Sequence, residues 1–209
     1  MQKHSEIVIL GSGLIGLSTA LLLERYGLES IIIDKSPMNL LKSNKDRRTT
    51  AISQGSARIY EKIGIWKDLV KHSQPIYKIK VTEGIEVDGL TFNDDMTEEG
   101  VMGYIVENKF IKRFLLKKVL KSSLIKLYSG TLVKSLKNLK NKTLELKTAN
   151  GTTTCNLLIG ADGRKSNTRK IGLFKYFYKN YNQNAYVFNI LHKKPHKGMA
   201  LERFFSTGP

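Results

Sequence analysis

The tightest constraint on this chain is a glycine turn set between two short apolar runs. Glu6-Ile7-Val8-Ile9-Leu10 reads as a strand, and Gly11-Ser12-Gly13-Leu14-Ile15-Gly16 follows at once in the pattern G-x-G-x-x-G. Leu17 to Tyr26 is apolar and helix-permissive, Gly27 suits the helix end, and Ile31-Ile32-Ile33 is a second strand closed by Asp34. Strand, turn, helix, strand and acid in this order make a βαβ unit that holds a dinucleotide. Each residue type has a physical reason. Gly11 admits the tight turn, Gly13 lets the backbone approach a pyrophosphate, and Gly16 lets the helix pack closely on the sheet. Free N–H groups and the dipole at the helix start, where Leu14 and Ile15 stand, favour phosphate charge. Asp34 stands 18 residues beyond Gly16, placed to accept hydrogen bonds from both ribose hydroxyls and to repel a 2′-phosphate.

A signal peptide or membrane helix is the competing reading of Ile7 to Leu23. That stretch holds three glycines, Ser12, Ser18 and Thr19, and ends at Glu24-Arg25. It falls short of the roughly 20 apolar residues that span a bilayer, and no small-residue cleavage site follows it. No other segment is long and apolar enough to cross. The lone cysteine, Cys155, excludes an internal disulfide and suits a reducing compartment, so a cytoplasmic chain is expected. Cys155 lies in a Thr-rich strand-like stretch and reads as a small buried residue. His4, His72, His192 and His196 fall at no metal-ligand spacing, so no metal is expected.

The formal net charge is +17, with only eight arginines among 35 basic residues. Lys112, Arg113, Lys117, Lys118 and Lys121 form the solvated side of one helix, and Lys134, Lys137, Lys140 and Lys142 fall in strand and turn. A solvated face is the plain reading, and attraction to an anionic membrane surface is the second. Nucleic acid is not an expected partner, because the chain offers neither a recognition helix nor an aromatic-interleaved platform.

Along the chain, Lys35 to Lys45 reads as loop, and Asp46 to Ser53 leads into a helix carrying Ala57, Ile59 and Ile63 before Gly64. Ile65-Trp66 and Leu69-Val70 suggest a short helix. Lys78 to Thr82 alternates as a strand, and Gly84 to Asp95 reads as a hairpin turning at Asp88-Gly89. Gly103 to Val106 is a strand. Asn108 to Leu120 is an amphipathic helix with Ile111, Phe114, Leu115 and Val119 on its apolar side. Leu124 to Tyr128, Thr131 to Leu139, Thr143 to Thr148 and Thr153 to Ile159 read as strands, the last two joined by Asn150-Gly151. Ala185 to Leu191 and Met199 to Phe205 are further strand candidates.

Several segments match one family. Leu158-Ile159-Gly160-Ala161-Asp162-Gly163-Arg164-Lys165-Ser166-Asn167-Thr168-Arg169 fits G-A-D-G-x-x-S-x-x-R and resembles the "DG" motif of flavin-dependent aromatic hydroxylases of the para-hydroxybenzoate hydroxylase type. Asp46-x-Arg48-x-x-Ala51-Ile52 resembles the D-x-R-x-x-A-L/I segment of those enzymes. Gly103-Tyr104-Ile105-Val106-Glu107-Asn108 resembles the G-Y-x-V-E-N segment of the branch that hydroxylates ubiquinone precursors, the 2-polyprenylphenol hydroxylases. His196-x-x-x-Ala200-x-Glu202-Arg203-Phe204, with Gly208-Pro209, resembles that branch's A-x-E-R-F…G-P segment.

The resemblance implies an α/β fold. A Rossmann-like FAD-binding domain, with a parallel sheet and an antiparallel meander, would take residues 1–75 and 103–175. The start of a second, mostly antiparallel, substrate-facing sheet would take 76–102 and 176–209. It implies that Gly11, Gly13, Leu14, Ile15 and Gly16 bind the FAD pyrophosphate, that Asp34 binds the adenosine ribose, and that Arg48 reaches the phosphates. Asn108 would lie near the adenine–ribose or pyrophosphate portion, and Asp162 beside the flavin and the pyridine-nucleotide path. The residues leave plainer readings open: an exposed ion pair for Arg48, a helix N-cap for Asn108, and a strand-to-helix turn for Asp162-Gly163. Ser166 and Arg169 read as turn stabilisers, Glu202 and Arg203 as a sheet-surface pair, and His196 as a loop residue.

The implied activity is hydroxylation of a polyprenylated phenol through a flavin C4a-hydroperoxide, with FAD held tightly and NAD(P)H as reductant. No side chain is assigned a catalytic role, because the chemistry belongs to the cofactor. A hydrophobic substrate would suit peripheral association with the inner membrane surface or with a biosynthetic complex. A flavin-dependent reductase or dehydrogenase on the same fold, or a non-catalytic FAD-binding piece, stands as the alternative. Members of the family continue with a G-D motif and C-terminal helices that this sequence lacks. The expectation is a fragment that alone binds FAD weakly and does not hydroxylate.

Overall fold

A computed structural model describes residues 3–86, 88–139 and 142–207. Lys140 and Gly208-Pro209, named above, lie outside these. In chain order the elements are β1 (Lys3–Leu10), α1 (Leu14–Arg25), β2 (Ser30–Ile33), α2 (Met38–Leu41), β3 (Thr49–Ile52), α3 (Gln54–Lys62), α4 (Trp66–Leu69), β4 (Ser73–Ile76), β5 (Lys78–Glu83), β6 (Leu90–Asn93), β7 (Gly103–Glu107), α5 (Asn108–Val119), β8 (Ile125–Tyr128), β9 (Val133–Asn138), β10 (Leu144–Thr148), β11 (Gly151–Gly160), α6 (Asn167–Ile171) and β12 (Met199–Phe204). They fall into two compact units, residues 1–45 with 111–186, and residues 46–110 with 187–209.

The first unit is built on a six-stranded sheet in the order β8-β2-β1-β11-β10-β9. The four strands from β8 to β11 are parallel, and β10 and β9 complete it as an antiparallel meander. β1 starts at Lys3, earlier than its apolar run, because it pairs along β11 from Lys3↔Thr153 to Leu10↔Gly160. The central strands are apolar without alternation because both faces are covered. On one face Val8, Leu10, Ile31, Ile33, Val133, Leu146 and Cys155 form a single cluster. The fully buried Ile9 and Ile32 belong to the opposite faces of β1 and β2, and α1 packs on those strands with Leu17, Ala20 and Leu21 buried. Each such aliphatic side chain contributes about 1.5–3 kcal/mol. Burial pushes the Cys155 thiol up to about 11, so it is neither ionised nor accessible at neutral pH.

α1 begins at Leu14, three residues before its expected start, and Gly16 therefore lies inside the first turn. It ends as the sequence suggests: Gly27 adopts φ +75° and donates to Glu24 O, and Leu28 donates to Leu23 O. α5 buries Ile111, Leu115, Leu116 and Val119, while its Arg113, Lys117 and the following Lys121 are exposed.

In the second unit β3-β7-β4 form one antiparallel sheet and β12-β5-β6 another. β5 and β6 are antiparallel, whereas β12 joins β5 in parallel, with Met199 opposite Lys78. The hairpin expected over Gly84 to Asp95 is therefore shifted: its limbs are Lys78–Glu83 and Leu90–Asn93. Its connection starts at Gly84, at φ +57°, and spans more than Asp88-Gly89. Trp66 packs edge to face on Tyr104 at 4.8 Å, and Ile52, Ile63, Leu69 and Val106 are buried in the same unit. β3 and β4 were not expected, the first hidden behind the helix that follows and the second carrying Pro75.

Ala185 to Leu191 is not a strand. It forms no ladder among the described residues, and Tyr186, Val187, Phe188, Ile190 and Leu191 are all exposed. Alternation names two faces, but a strand exists only when a neighbour accepts its backbone hydrogen bonds. No helix among the described residues is long and apolar enough to cross a membrane.

Candidate functional site

The C-terminal ends of β1, β2 and β11 meet in the first unit, where an open parallel sheet binds ligands. Three backbone hydrogen bonds lock this edge: Gly11 N–H to Ile33 O at 2.8 Å, Ala161 N–H to Leu10 O at 2.8 Å and Asp34 N–H to Tyr128 O at 2.9 Å. Gly11 sits at φ +107°, and a Cβ there would stand 2.4 Å from Ala161 O, so only glycine fits between β1 and the turn after β11.

Gly13 is the N-cap of α1, in extended conformation and without a side-chain capping bond. The first amides of α1 therefore have no partner inside the helix. A Cβ on Gly13 would meet nothing within 4 Å, so the backbone here faces open space. Gly16 is the opposite case, since its Cβ would fall 1.9 Å from Gly11 O. The turn thus has a tightly packed inner side and a vacant outer side bearing free N–H groups. This is the environment a pyrophosphate needs, and the residues present fit FAD.

A groove of about 320 Å³ runs over this edge, lined among others by Gly11, Gly13, Asp34, Lys112, Asp162 and Lys165. Asp34 already holds protein partners. Its Oδ2 accepts the Ser12 N–H at 2.6 Å and the Ser12 hydroxyl at 2.7 Å, and its Oδ1 accepts the Ser36 N–H at 2.7 Å. Burial is the largest single influence on this carboxyl and pushes it up. The hydrogen bonds from Ser12 and Ser36 together outweigh burial and hold it below the usual carboxylate range.

Asp162 lines the groove, but its carboxylate is turned to the start of α6. It accepts the Ser166 hydroxyl at 2.5 Å and the Asn167 and Thr168 N–H groups at 2.7 and 2.9 Å, while Ser166 caps the same helix through the Arg169 N–H at 3.2 Å. Again burial pushes the carboxyl up, and bonds from Ser166, Thr168 and Asn167 bring it below its ordinary value. An acid whose folded pKa is depressed adds stability above its unfolded pKa and loses it as pH falls through the folded one. Asp162→Ala is accordingly expected to lower stability by about 1–2 kcal/mol at neutral pH, with the difference shrinking as pH falls through the depressed folded pKa. Urea melts of both chains across pH measure this, and an equal loss at pH 2.5 and pH 7 would exclude the carboxylate as its source.

Not every expected site residue joins this groove. Gly16 lies beneath it. Ile15 projects into a neighbouring groove of about 760 Å³ that also takes in Leu158 and Phe174. Arg48 and Asn108 belong to the second unit. There Arg48 is exposed and forms a two-pronged pair with Asp46, Nε to Oδ1 at 2.9 Å and Nη2 to Oδ2 at 2.7 Å. Such an exposed pair adds little stability, and it leaves Nη1 of the guanidinium fork free of the pair. Asn108 opens α5, donating its N–H to Arg48 O at 2.8 Å and accepting the Thr50 hydroxyl at 2.5 Å. Arg203 bonds Thr82 Oγ1 at 3.2 Å, and His196 Nδ1 accepts the Gly198 N–H at 3.0 Å, so each serves its own sheet or loop. Among the described residues no group of histidines, cysteines and carboxylates could hold a metal. Sequence reasoning missed Ser12, Ser36 and the groove lysines, Lys35, Lys112 and Lys165. A hydroxyl inside the glycine turn was the available signal for Ser12.

Residues 4–205 match the family described as FAD binding domain. The chain is 30% identical over 208 residues to ubiquinone hydroxylase UbiL of Rhodospirillum rubrum, covering 99% of this chain and 48% of that protein. It is 28% identical to ubiquinone hydroxylase UbiM of Neisseria meningitidis over 98% of this chain and 46% of the relative. It therefore spans about half the length of the curated relatives it matches. Among solved structures it resembles pqsL, a probable FAD-dependent monooxygenase of Pseudomonas aeruginosa, with a TM-score of 0.72 and 17% identity over 86% of this chain and 48% of the other, a likeness of fold. With a glycine turn open on its outer side, an acid at the end of β2 and a family match across nearly its whole length, this chain belongs to the FAD binding domain family.

Proposed function

We propose that this chain is the FAD-binding portion of a flavoprotein monooxygenase that hydroxylates a polyprenylated phenol in ubiquinone biosynthesis, with NAD(P)H as reductant. The observation that carries this reading is the vacant outer side of the Gly11–Gly16 turn beside Asp34. The kinship with ubiquinone hydroxylases adds the substrate class. When bound, FAD supplies the redox chemistry and the activation of O₂.

This chain's residues bind and orient the cofactor. The Gly13 edge and the first amides of α1, at Leu14 and Ile15, hold the pyrophosphate, and Asp34 holds the adenosine ribose. Arg48 and Asn108 are assigned to the cofactor by the family resemblance, Arg48 through the part of its fork that Asp46 leaves open. Asp162 shapes the groove by fixing α6 rather than by meeting the flavin directly. The functional division that goes with this keeps 1–75 and 103–175 as the flavin domain and 76–102 with 176–209 as the substrate side. A basic surface and a prenylated substrate fit peripheral association with an anionic membrane.

The test has two stages. The purified 209-residue chain is mixed with FAD, freed of excess by gel filtration and examined for retained flavin absorbance. A protein that stays colourless here, and still retains no flavin once the second half of the UbiL relative is supplied, would sink the cofactor reading for this chain. The chain is then combined with a polypeptide covering the second half of the UbiL relative and given NAD(P)H, a polyprenylphenol and isotopically labelled O₂. Label in the product is expected. NAD(P)H oxidation without label would replace the monooxygenase by a reductase on the same fold.

A further inference from the structure

Asp34 is more fully engaged by its own chain than a residue reserved for a ligand. Ser12 is 1% exposed, so its hydroxyl has no solvent to turn to, and both its N–H and its Oγ–H point to Oδ2 of Asp34 at 2.6 and 2.7 Å. The Ser36 N–H occupies Oδ1 at 2.7 Å. An ionised carboxylate offers about four lone-pair sites. At least three are therefore taken, the two on Oδ2 both filled by one residue, and the Ser36 side chain also acts on this carboxylate. That residue lies inside the glycine turn, so its two bonds tie the turn to the acid 22 residues away.

We propose that Ser12 is a positioning residue that locks the Asp34 carboxylate to the glycine turn and leaves it no more than one acceptor site, on Oδ1, so that Asp34 engages one hydroxyl of the adenosine ribose and not both. This rests on the reading that FAD occupies the groove. It departs from the two-hydroxyl role expected of Asp34 from sequence, and the cause is the serine hydroxyl, which alanine or glycine at this position would not supply. The charged groups sharing the groove are Lys35, Lys112, Lys165 and Asp162. The second hydroxyl is left to other partners, as donor to water or a backbone carbonyl or as acceptor from one of these lysines.

Two measurements separate this from the flavin reading. The first needs no flavin. The Asp34 carboxyl is followed by carbon-13 NMR against pH in the wild-type chain and in Ser12→Ala, which removes one atom and leaves no bulk to refit. The Asp34 midpoint is expected to rise in Ser12→Ala toward the ordinary value of about 3.9. A midpoint that does not move would overturn the lock. The second compares FAD with analogues lacking either the 2′- or the 3′-hydroxyl of the adenosine ribose. The wild-type chain is expected to lose affinity for one analogue by roughly tenfold and to bind the other almost as well as FAD. In Ser12→Ala, where Oδ2 regains a site, that discrimination should narrow. Equal losses for both analogues in the wild type would overturn the single acceptor. Should the wild type bind no flavin even with the second half of the UbiL relative supplied, the cofactor reading fails, and the titration still decides whether Ser12 holds Asp34.

Discussion

Gly16→Ala is expected to destabilise the chain by about 3 kcal/mol or more, at the upper end of what overpacking costs. In an exposed helix the same exchange would stabilise by about 1 kcal/mol, because alanine is the better helix former. The sign inverts here because the new Cβ would lie 1.9 Å from Gly11 O and 3.0 Å from Gly11 C, with Ala161 Cβ at 3.4 Å. Both nearest atoms are backbone, and that backbone cannot retreat. The Gly11 N–H is bonded to Ile33 O at 2.8 Å, and on its other side Gly11 abuts Ala161. Relief requires α1 to lift from the sheet, which would uncover part of Leu17, Ala20 and Leu21. Urea unfolding of Gly16→Ala beside wild type measures the effect. A midpoint equal to or above wild type would mean that the close approach of helix and turn is not what the geometry says.

The βαβ unit was legible because its determinants are local. A glycine turn, a run of β-branched residues and an acid lie within about 30 residues, and each has a backbone meaning of its own. The hairpin near Asn150-Gly151 was legible for the same reason, but its turn falls one residue earlier, at Ala149-Asn150, with Thr148 facing Gly151 across it. What the pattern lacked was partnership at long range. Nothing in Glu6–Leu10 announces that its neighbour is β11, about 150 residues on, nor that the ladder extends back to Lys3. Ala185–Leu191 shows the converse, since a strand-like pattern without a neighbour stays irregular. In the site the residue types were readable and their engagements were not. Asp34 was marked as an acceptor, but three donors from Ser12 and Ser36 reach it first. Asp162 was marked by its motif, yet its oxygens serve α6. Arg48 could be read as an ion pair or a phosphate ligand, and its bidentate bond to Asp46 occupies only part of its fork.

Gly13→Ala is expected to do the reverse of Gly16→Ala: to leave the chain folded and to remove flavin binding. Gly13 has φ −72° and ψ −176°, a backbone that any residue adopts, and its Cβ would meet no atom within 4 Å. Alanine is a clearly poorer N-cap than glycine, which costs about 1 kcal/mol, well short of what unfolds the chain. The space the methyl enters is the space a pyrophosphate must occupy to reach the first amides of α1. Forcing it outward weakens charge-assisted hydrogen bonds worth about 1.5–3 kcal/mol each. Two such bonds correspond to a loss of affinity on the order of a hundredfold or more. Flavin fluorescence titration and thermal melting of the same preparation separate the two quantities. A normal melt with weakened binding places the phosphates over Gly13. A normal melt with unchanged binding would move them elsewhere and remove the cradle on which the functional reading stands.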